Sequence, residues 1–353
     1  MKYLFVLTFL FISLNIHGQV VLDADGPGNT YNLITSVLAP GYNPIEVPDC
    51  NHTNFGNHID EVYDTDLNAN VFRFYIHVSP DNDRCIKFDR QRNEIKTYDQ
   101  SPENLLGIVG EKVIYKWKFK LSSGFQSSPN FTHLHQLKSV GGSLASMPMY
   151  TLTARKGSPD RLELRYAETD TQITLAQKDL LPLVDTWMEV TERIEYGISG
   201  TYDIEIKKIS DNSVLFAYTN NDIVNWRQNA EFVRPKWGIY RSLNNSQDLR
   251  DENVLFANFS IQEVETLSLA PSESNTGFSV FPNPAKNSIH FSGLHQEADK
   301  IEMYTIDGRK VIEKAIINTT KEILDVSILS NGTYIIKVSG SRLNQSRLIT
   351  ISN

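Results

Sequence analysis

Three short segments of the chain carry side chains that could move protons and hold an anion. They are Gln91-Arg92-Asn93-Glu94-Ile95-Lys96, Thr132-His133-Leu134-His135-Gln136-Leu137-Lys138 and Arg234-Pro235-Lys236-Trp237-Gly238-Ile239-Tyr240-Arg241. Side chains alternate between faces along a strand. On that period Arg92, Glu94 and Lys96 share one face. His133 and His135 share another, with Leu134 turned to the core. Arg234, Lys236, Gly238 and Tyr240 share a third, with Trp237 and Ile239 behind. Gly238 leaves a gap where a ligand can come close. Arg234, Lys236 and Arg241 surround Tyr240 in sequence, and cations favour the phenolate, so its pKa is expected to fall. Each segment alone also reads as an ordinary strand with a solvated polar face.

Together the segments suit one reaction. Breaking a uronate polymer by elimination removes the proton on the carbon beside the carboxylate. A cation or amide must neutralise that carboxylate. A base must take the proton. An acid must protonate the leaving glycosidic oxygen. Arg92 can meet the first need, His133 or His135 the first or second, and Tyr240 the second or third. Gln91, Asn93, Glu94, Lys96, Gln136, Arg234, Lys236 and Arg241 are expected to bind the polymer around them. The chemistry requires no cofactor.

The same segments resemble the three signature strands of jelly-roll alginate and related lyases, which read roughly R-S-E-L-R, Q-I-H and K-A-G-x-Y. His135 takes the place of the family's histidine, and His133 stands where those lyases have a glutamine that assists the carboxylate. The resemblance implies an acid/base pair of Tyr240 with His135, and Arg92 on the carboxylate. From Asp23 to about Glu265 the chain is similar to the short ulvan lyases of marine bacteria, through Asp23–Tyr31, Gln91–Tyr98, Thr132–Gly141 and Arg234–Leu243. This implies a β-jelly roll, endolytic cleavage next to a uronate of ulvan, and a 4,5-unsaturated product. A non-catalytic lectin on the same fold is the competing reading. A jelly-roll glycoside hydrolase needs two carboxylates flanking the bond, and its usual E-x-D-x-x-E run is missing.

The elements that must position these residues are short strands. Val71–Val78 alternates strictly, and similar runs recur at Val113–Leu121, Phe131–Leu137, Met149–Ala154, Leu162–Ala167, Trp187–Ile194, Tyr202–Lys208, Ser213–Thr219, Lys236–Ser242 and Val254–Val264. Such a pattern predicts an all-β sandwich or jelly roll. Val20 to about Asp66 reads as long ordered loops, and the one helical stretch is a short one around Asp222–Asn229. Near Leu267 the pattern changes. A Ser- and Pro-containing linker (268–277) leads to hairpins with Asp307-Gly308 and Asn331-Gly332 turns. This tail, 278–353, resembles the C-terminal sorting domain of the type IX secretion system. The matching residues are Phe281-Pro282-Asn283-Pro284-Ala285, Asp307-Gly308 with Val311, and Gly332-Thr333-Tyr334 with Ile335-Ile336-Lys337-Val338. It implies that machinery as a partner and a second small β-sandwich.

Met1 and Lys2 precede an apolar run to about Leu14, then small and polar residues to Gly18, as in a cleavable export signal at 1–18. That leaves 19–267 as the large domain. The formal net charge of −8 argues against a nucleic-acid partner but allows a local basic groove for an acidic polysaccharide. No stretch is long and apolar enough for a membrane helix. In an exported chain the cysteine pair Cys50 and Cys85 is expected to be bridged, with His52 and His58 nearby keeping a metal site open. Jelly rolls of this class often hold a structural calcium. Asp23 and Asp25 are the residues that would bridge one to a late strand.

Overall fold

The computed structural model describes residues 19–264, 278–294, 298–317, 319–340 and 344–352. The expected export signal and the 268–277 linker lie outside them. The chain divides into two compact units, Met1–Thr266 and Leu267–Asn353. In chain order the first holds β1 (Val20–Leu22), α1 (Thr30–Leu38), β2 (Ile45–Glu46), β3 (Ile59–Asp64), β4 (Ala69–Ile76) and β5 (Arg90–Lys96). Next come β6 (Lys112–Leu121), β7 (Thr132–Val140), β8 (Tyr150–Arg155), β9 (Arg161–Tyr166) and β10 (Ile173–Asp179). Then follow β11 (Met188–Glu195), β12 (Gly200–Lys208), β13 (Val214–Ile223), β14 (Phe232–Ser242) and β15 (Glu252–Val264).

These strands build two antiparallel sheets of a β-jelly roll. One runs β13-β12-β11-β6-β15-β4-β3, with β1 added beside β15; the other runs β10-β9-β8-β7-β14-β5-β2. The apolar set of each alternating strand faces the space between the sheets. Phe72, Phe74, Trp117, Phe119, Leu152, Val190, Trp237, Ile239 and Phe256 fill one buried cluster there. Removing that area from water is the main stabilising term. The opposite face of the second sheet is left for polar side chains.

Two expectations are corrected. Residues 224–227 have no helical structure, and Asp222 and Ile223 end β13. The helix lies earlier, in the segment read as loops, where Thr30, Ile34 and Leu38 recur every fourth residue and are the buried positions of α1. Asn258 Nδ2 of β15 donates to the Asp23 carboxylate at 2.7 Å.

Cys50 and Cys85 are bridged across 35 residues, tying the loop after β2 to the loop before β5. Replacing both with Ser should lower stability by about 3–4 kcal/mol on the loop-entropy estimate. The denaturant midpoint reads this out, and a thiol assay of the denatured, unreduced protein should find no free thiol.

The second unit is a small sandwich of its own. A three-stranded sheet is made by Ser279–Phe281, Ser288–Ser292 and Lys321–Asp325. A four-stranded one contains Ala298–Thr305, Lys310–Ala315, Gly332–Gly340 and Asn344–Ile351. Phe278, Ile289, Phe291, Ile301, Met303, Ile336 and Val338 form its separate core. Among the described residues no helix is long and apolar enough to cross a membrane.

Candidate active site

The three polar segments become β5, β7 and β14, and they are neighbours. β14 lies between β7 and β5, with Tyr240 opposite Arg92 on one side and His133 on the other. On the outer face of this sheet the structure gathers Arg92, Glu94, Lys96, His133, Gln136, Arg234, Lys236 and Tyr240. The Tyr240 and His133 ring centroids are 5.7 Å apart, and Phe131 stacks on His133 at 4.8 Å. Arg92 lies over the Tyr240 ring at 3.6 Å. Arg90 Nη1 donates to the phenol oxygen at 3.0 Å.

His133 and His135 do not share a face. The β7–β8 pairing slips between His133 and His135, and the β14–β7 pairing slips between Trp237 and Tyr240. A bulge of this kind resets the alternation. His133 and Gln136 therefore point outward, while Leu134 and His135 both point inward. His135 is 1% exposed. It packs on Trp117 and Trp237, and its Nε2 lies 2.8 Å from Glu192 of the opposite sheet. Tyr202 donates to the other Glu192 oxygen at 2.6 Å. His135 thus belongs to the core, and the histidine at the cleft is His133.

Period two also corrects three expected polymer-binding residues. Gln91 and Asn93 alternate with Arg92 and Glu94 and face inward, fully buried. Gln91 donates to the carbonyls of His77 and Asp81, and Asn93 to those of His58 and Tyr75. Arg241 follows Tyr240 onto the inner face, where its Nε donates to Gln91 at 2.8 Å. Gly238 does not open a gap for ligand. It has φ +146°, and a Cβ there would lie 2.1 Å from the Asn93 carbonyl oxygen. Gly238→Ala should force β5 and β14 apart, costing about 1–3 kcal/mol as overpacking does. A lowered thermal midpoint checks it.

Charge dominates the outer face. Glu46 of β2 receives Lys96 at 3.0 Å, Arg84 at 2.8 Å, and Lys236. Glu94 pairs with Lys236 at 2.8 Å and with Arg92, and Gln136 donates to it. Arg92 Nε also donates to Asp83 at 2.9 Å. Burial alone would raise the Glu46 carboxyl, but Lys236, Arg92, Lys96 and Arg84 outweigh it and hold it well below the usual range. The same contest leaves Glu94 at about 2, held by Lys236 and Arg92. Cations still outnumber carboxylates. Lys138 and Arg234 have no carboxylate partner among the described residues, and Arg234 Nε and Nη1 are buried without a hydrogen bond.

Burial dominates the titration of both His133 and Tyr240. Burial drives His133 down to about 3, against Glu94 and helped by Arg155, Arg92 and Lys236. It is therefore a neutral imidazole at neutral pH, and its Nδ1 has no partner. Tyr240 is raised, not lowered. Burial pushes the phenol up and outweighs the opposing pull of Arg92 and Arg90. Arg92 is not free to grip a ligand, because Asp83 and Glu94 occupy its donors and its side chain is 11% exposed.

Sequence reasoning missed Arg90, Glu46, Asp83 and Lys138. Arg90 extends the Arg92, Glu94, Lys96 face by one step of two, so period two could have found it. Glu46 sits on a two-residue strand with no alternation to show it.

Residues 279–352 match the family model of the secretion system C-terminal sorting domain. No curated protein matches the chain in sequence. A marine alginate lyase from Aplysia kurodai is similar in structure, with TM-score 0.50 and 13% identity over 70% of this chain and 100% of that one. An endo-β-1,4-glucuronan lyase from the fungus Trichoderma reesei aligns with TM-score 0.44 and 14% identity, over 63% of this chain and 91% of that one. The first likeness is one of fold. The C-terminal sorting domain indicates export of the chain, to the cell surface or the medium, by the type IX machinery.

Proposed function

We propose that the large unit is a secreted endolytic polysaccharide lyase that cleaves an acidic, uronate-containing polymer, ulvan, by β-elimination. The observation that carries this reading is the His133 imidazole beside the Tyr240 phenol, ring centroids 5.7 Å apart, on a sheet face whose cations exceed its carboxylates. An imidazole nitrogen of His133 takes the proton from the carbon beside the carboxylate. That electron pair forms the new carbon–carbon double bond, and the bond to the glycosidic oxygen breaks. Tyr240 gives its proton to the leaving oxygen, and solvent restores both groups. Arg90, with Nη1 at the phenol oxygen and Nε and Nη2 on Asp89, steadies the developing phenolate. Arg92 acts beneath, as a positioning residue that fixes the Tyr240 ring. Arg234 and Lys138 lie farther along the same face and would receive neighbouring anionic sugars, as an endolytic cleft requires. An excess of positive charge of this kind draws a polyanion in.

The test is incubation of the protein with ulvan, alginate and glucuronan while near-ultraviolet absorbance is followed. A lyase generates a conjugated uronate that absorbs there, with strongest activity expected on ulvan. Reducing ends without absorbance would mean hydrolysis, and binding without either would mean a lectin. Preference for alginate or glucuronan would keep the reaction and overturn the substrate.

A further inference from the structure

Behind the catalytic face lies a second cluster that the proposed reaction does not use. His52 follows the disulfide cysteine Cys50, His58 precedes β3, and His77 and Asp81 follow β4. One ligand atom from each lies within 4.8 Å of all the others. Three of the separations are shorter. Asp81 Oδ1 is 2.8 Å from His52 Nδ1 and 3.2 Å from His58 Nε2, and Asp81 Oδ2 is 3.0 Å from His77 Nδ1. A tetrahedral ion with bonds of about 2.0–2.1 Å has ligand-to-ligand edges of roughly 3.3 Å. We propose that His52, His58, His77 and Asp81 bind one divalent transition-metal ion of the zinc class as a structural site.

Three further features support it. A metal-bound imidazole usually donates its other ring nitrogen to a carboxylate, which fixes the tautomer. His58 Nδ1 lies 2.6 Å from Asp49 Oδ1, and Tyr31 holds Asp49 Oδ2 at 2.8 Å. The His58 Nε2 lone pair is thereby aimed at the cluster. The donor set is three imidazoles and a carboxylate, which suits zinc, nickel or copper rather than calcium or magnesium. Four protein ligands close a tetrahedral site, the mark of a structural rather than a catalytic ion. His58 and Asp81 are fully buried, and Phe55 packs on His52, His58 and His77.

The place of the site gives it a role. The backbone carbonyls of His58, His77 and Asp81 are the acceptors of Asn93 and Gln91, which alternate with Arg92 on β5. An ion here would pin the back of the strand whose front holds Arg92 beneath Tyr240. It would also brace the loop carrying Asp83, the other partner of Arg92.

The full chain, stripped with a chelator, should be titrated with Zn²⁺ by calorimetry and with Co²⁺ by visible absorbance. One ion per chain and the intense bands of tetrahedral cobalt are expected, and Zn²⁺ should raise the thermal midpoint over the stripped protein. His52→Gln and His77→Gln, both at partly exposed ligands, should each weaken binding by about 10-fold or more. His290→Gln, in the other unit, should not change it. Absence of saturable one-to-one uptake would overturn the proposal, as would uptake that both ligand variants leave unchanged. If a variant fails to fold, the wild-type cobalt spectrum decides, since an octahedral signature excludes this four-ligand site.

Discussion

Tyr240→Phe should fold like the wild type and turn over at least about 10²-fold more slowly, the low end for lost acid–base catalysis. The substitution keeps the ring, and so keeps its contacts with Phe131, His133 and Arg92. What it removes is the hydroxyl and the hydrogen bond from Arg90. A single hydrogen bond of this kind contributes about 1 kcal/mol or so to stability, too little to unfold a jelly roll. The loss should fall on kcat more than on KM, because the proton is given only as the glycosidic bond breaks. The phenol is raised above its ordinary value of about 10, so the acid stays loaded through the whole neutral range. Weakening on the alkaline side should come from the lysines of this face, Lys138 and Lys236, the latter also lowered by burial to about 8. Burial, with Lys236, Arg234 and Arg92, lowers Lys138 to about 8, and losing these charges should raise KM for a polyanion above pH 8. Initial rates of near-ultraviolet absorbance, with circular dichroism as the fold control, measure all of this. Near-wild-type elimination by Tyr240→Phe would remove Tyr240 from the mechanism.

Much of the site could be read from strand alternation, and the failures have a common cause. On β5 the period of two put Arg92, Glu94 and Lys96 on one face, which the structure shares. On β14 it did the same for Arg234, Lys236 and Tyr240. On β7 it failed, because one slipped pairing between His133 and His135 moves every later side chain to the other face. A signal for this existed elsewhere. Met188, Val190 and Ile194 give β11 an apolar inner row, and Glu192 interrupts it. A buried carboxylate demands a partner, and His135 is that partner. The phenol pKa was misjudged for a different reason. Sequence shows which cations are near in the chain, but not that burial outweighs them. Strict alternation already puts Arg241, adjacent to Tyr240, on the inner face, but sequence could not show that Glu46 crosses to Lys236. Such pairings belong to the fold.

The two histidines should separate cleanly by experiment. His133→Ala should fold and lose at least about 10²-fold in kcat, since it removes the neutral nitrogen that takes the proton. His135→Ala should instead lose stability. It strands Glu192 in the core with Tyr202 as its remaining partner, and breaking a buried pair from one side costs about 3–5 kcal/mol. The fraction of His135→Ala that remains folded should keep near-wild-type kcat. A pH series sharpens the contrast. His133 titrates at about 3 in the folded protein and near 6.5 when unfolded. Between those values the unfolded chain binds a proton that the folded one does not. Stability from this group is therefore full above about pH 6.5 and falls as the pH drops toward 3. His133→Ala should flatten that slope. The catalytic base, by the same shift, should stay unprotonated across the ordinary histidine range, so kcat/KM should show no acid limb near pH 6.5. If the large kcat loss falls on folded His135→Ala and spares His133→Ala, the base has been assigned to the wrong side of the sheet.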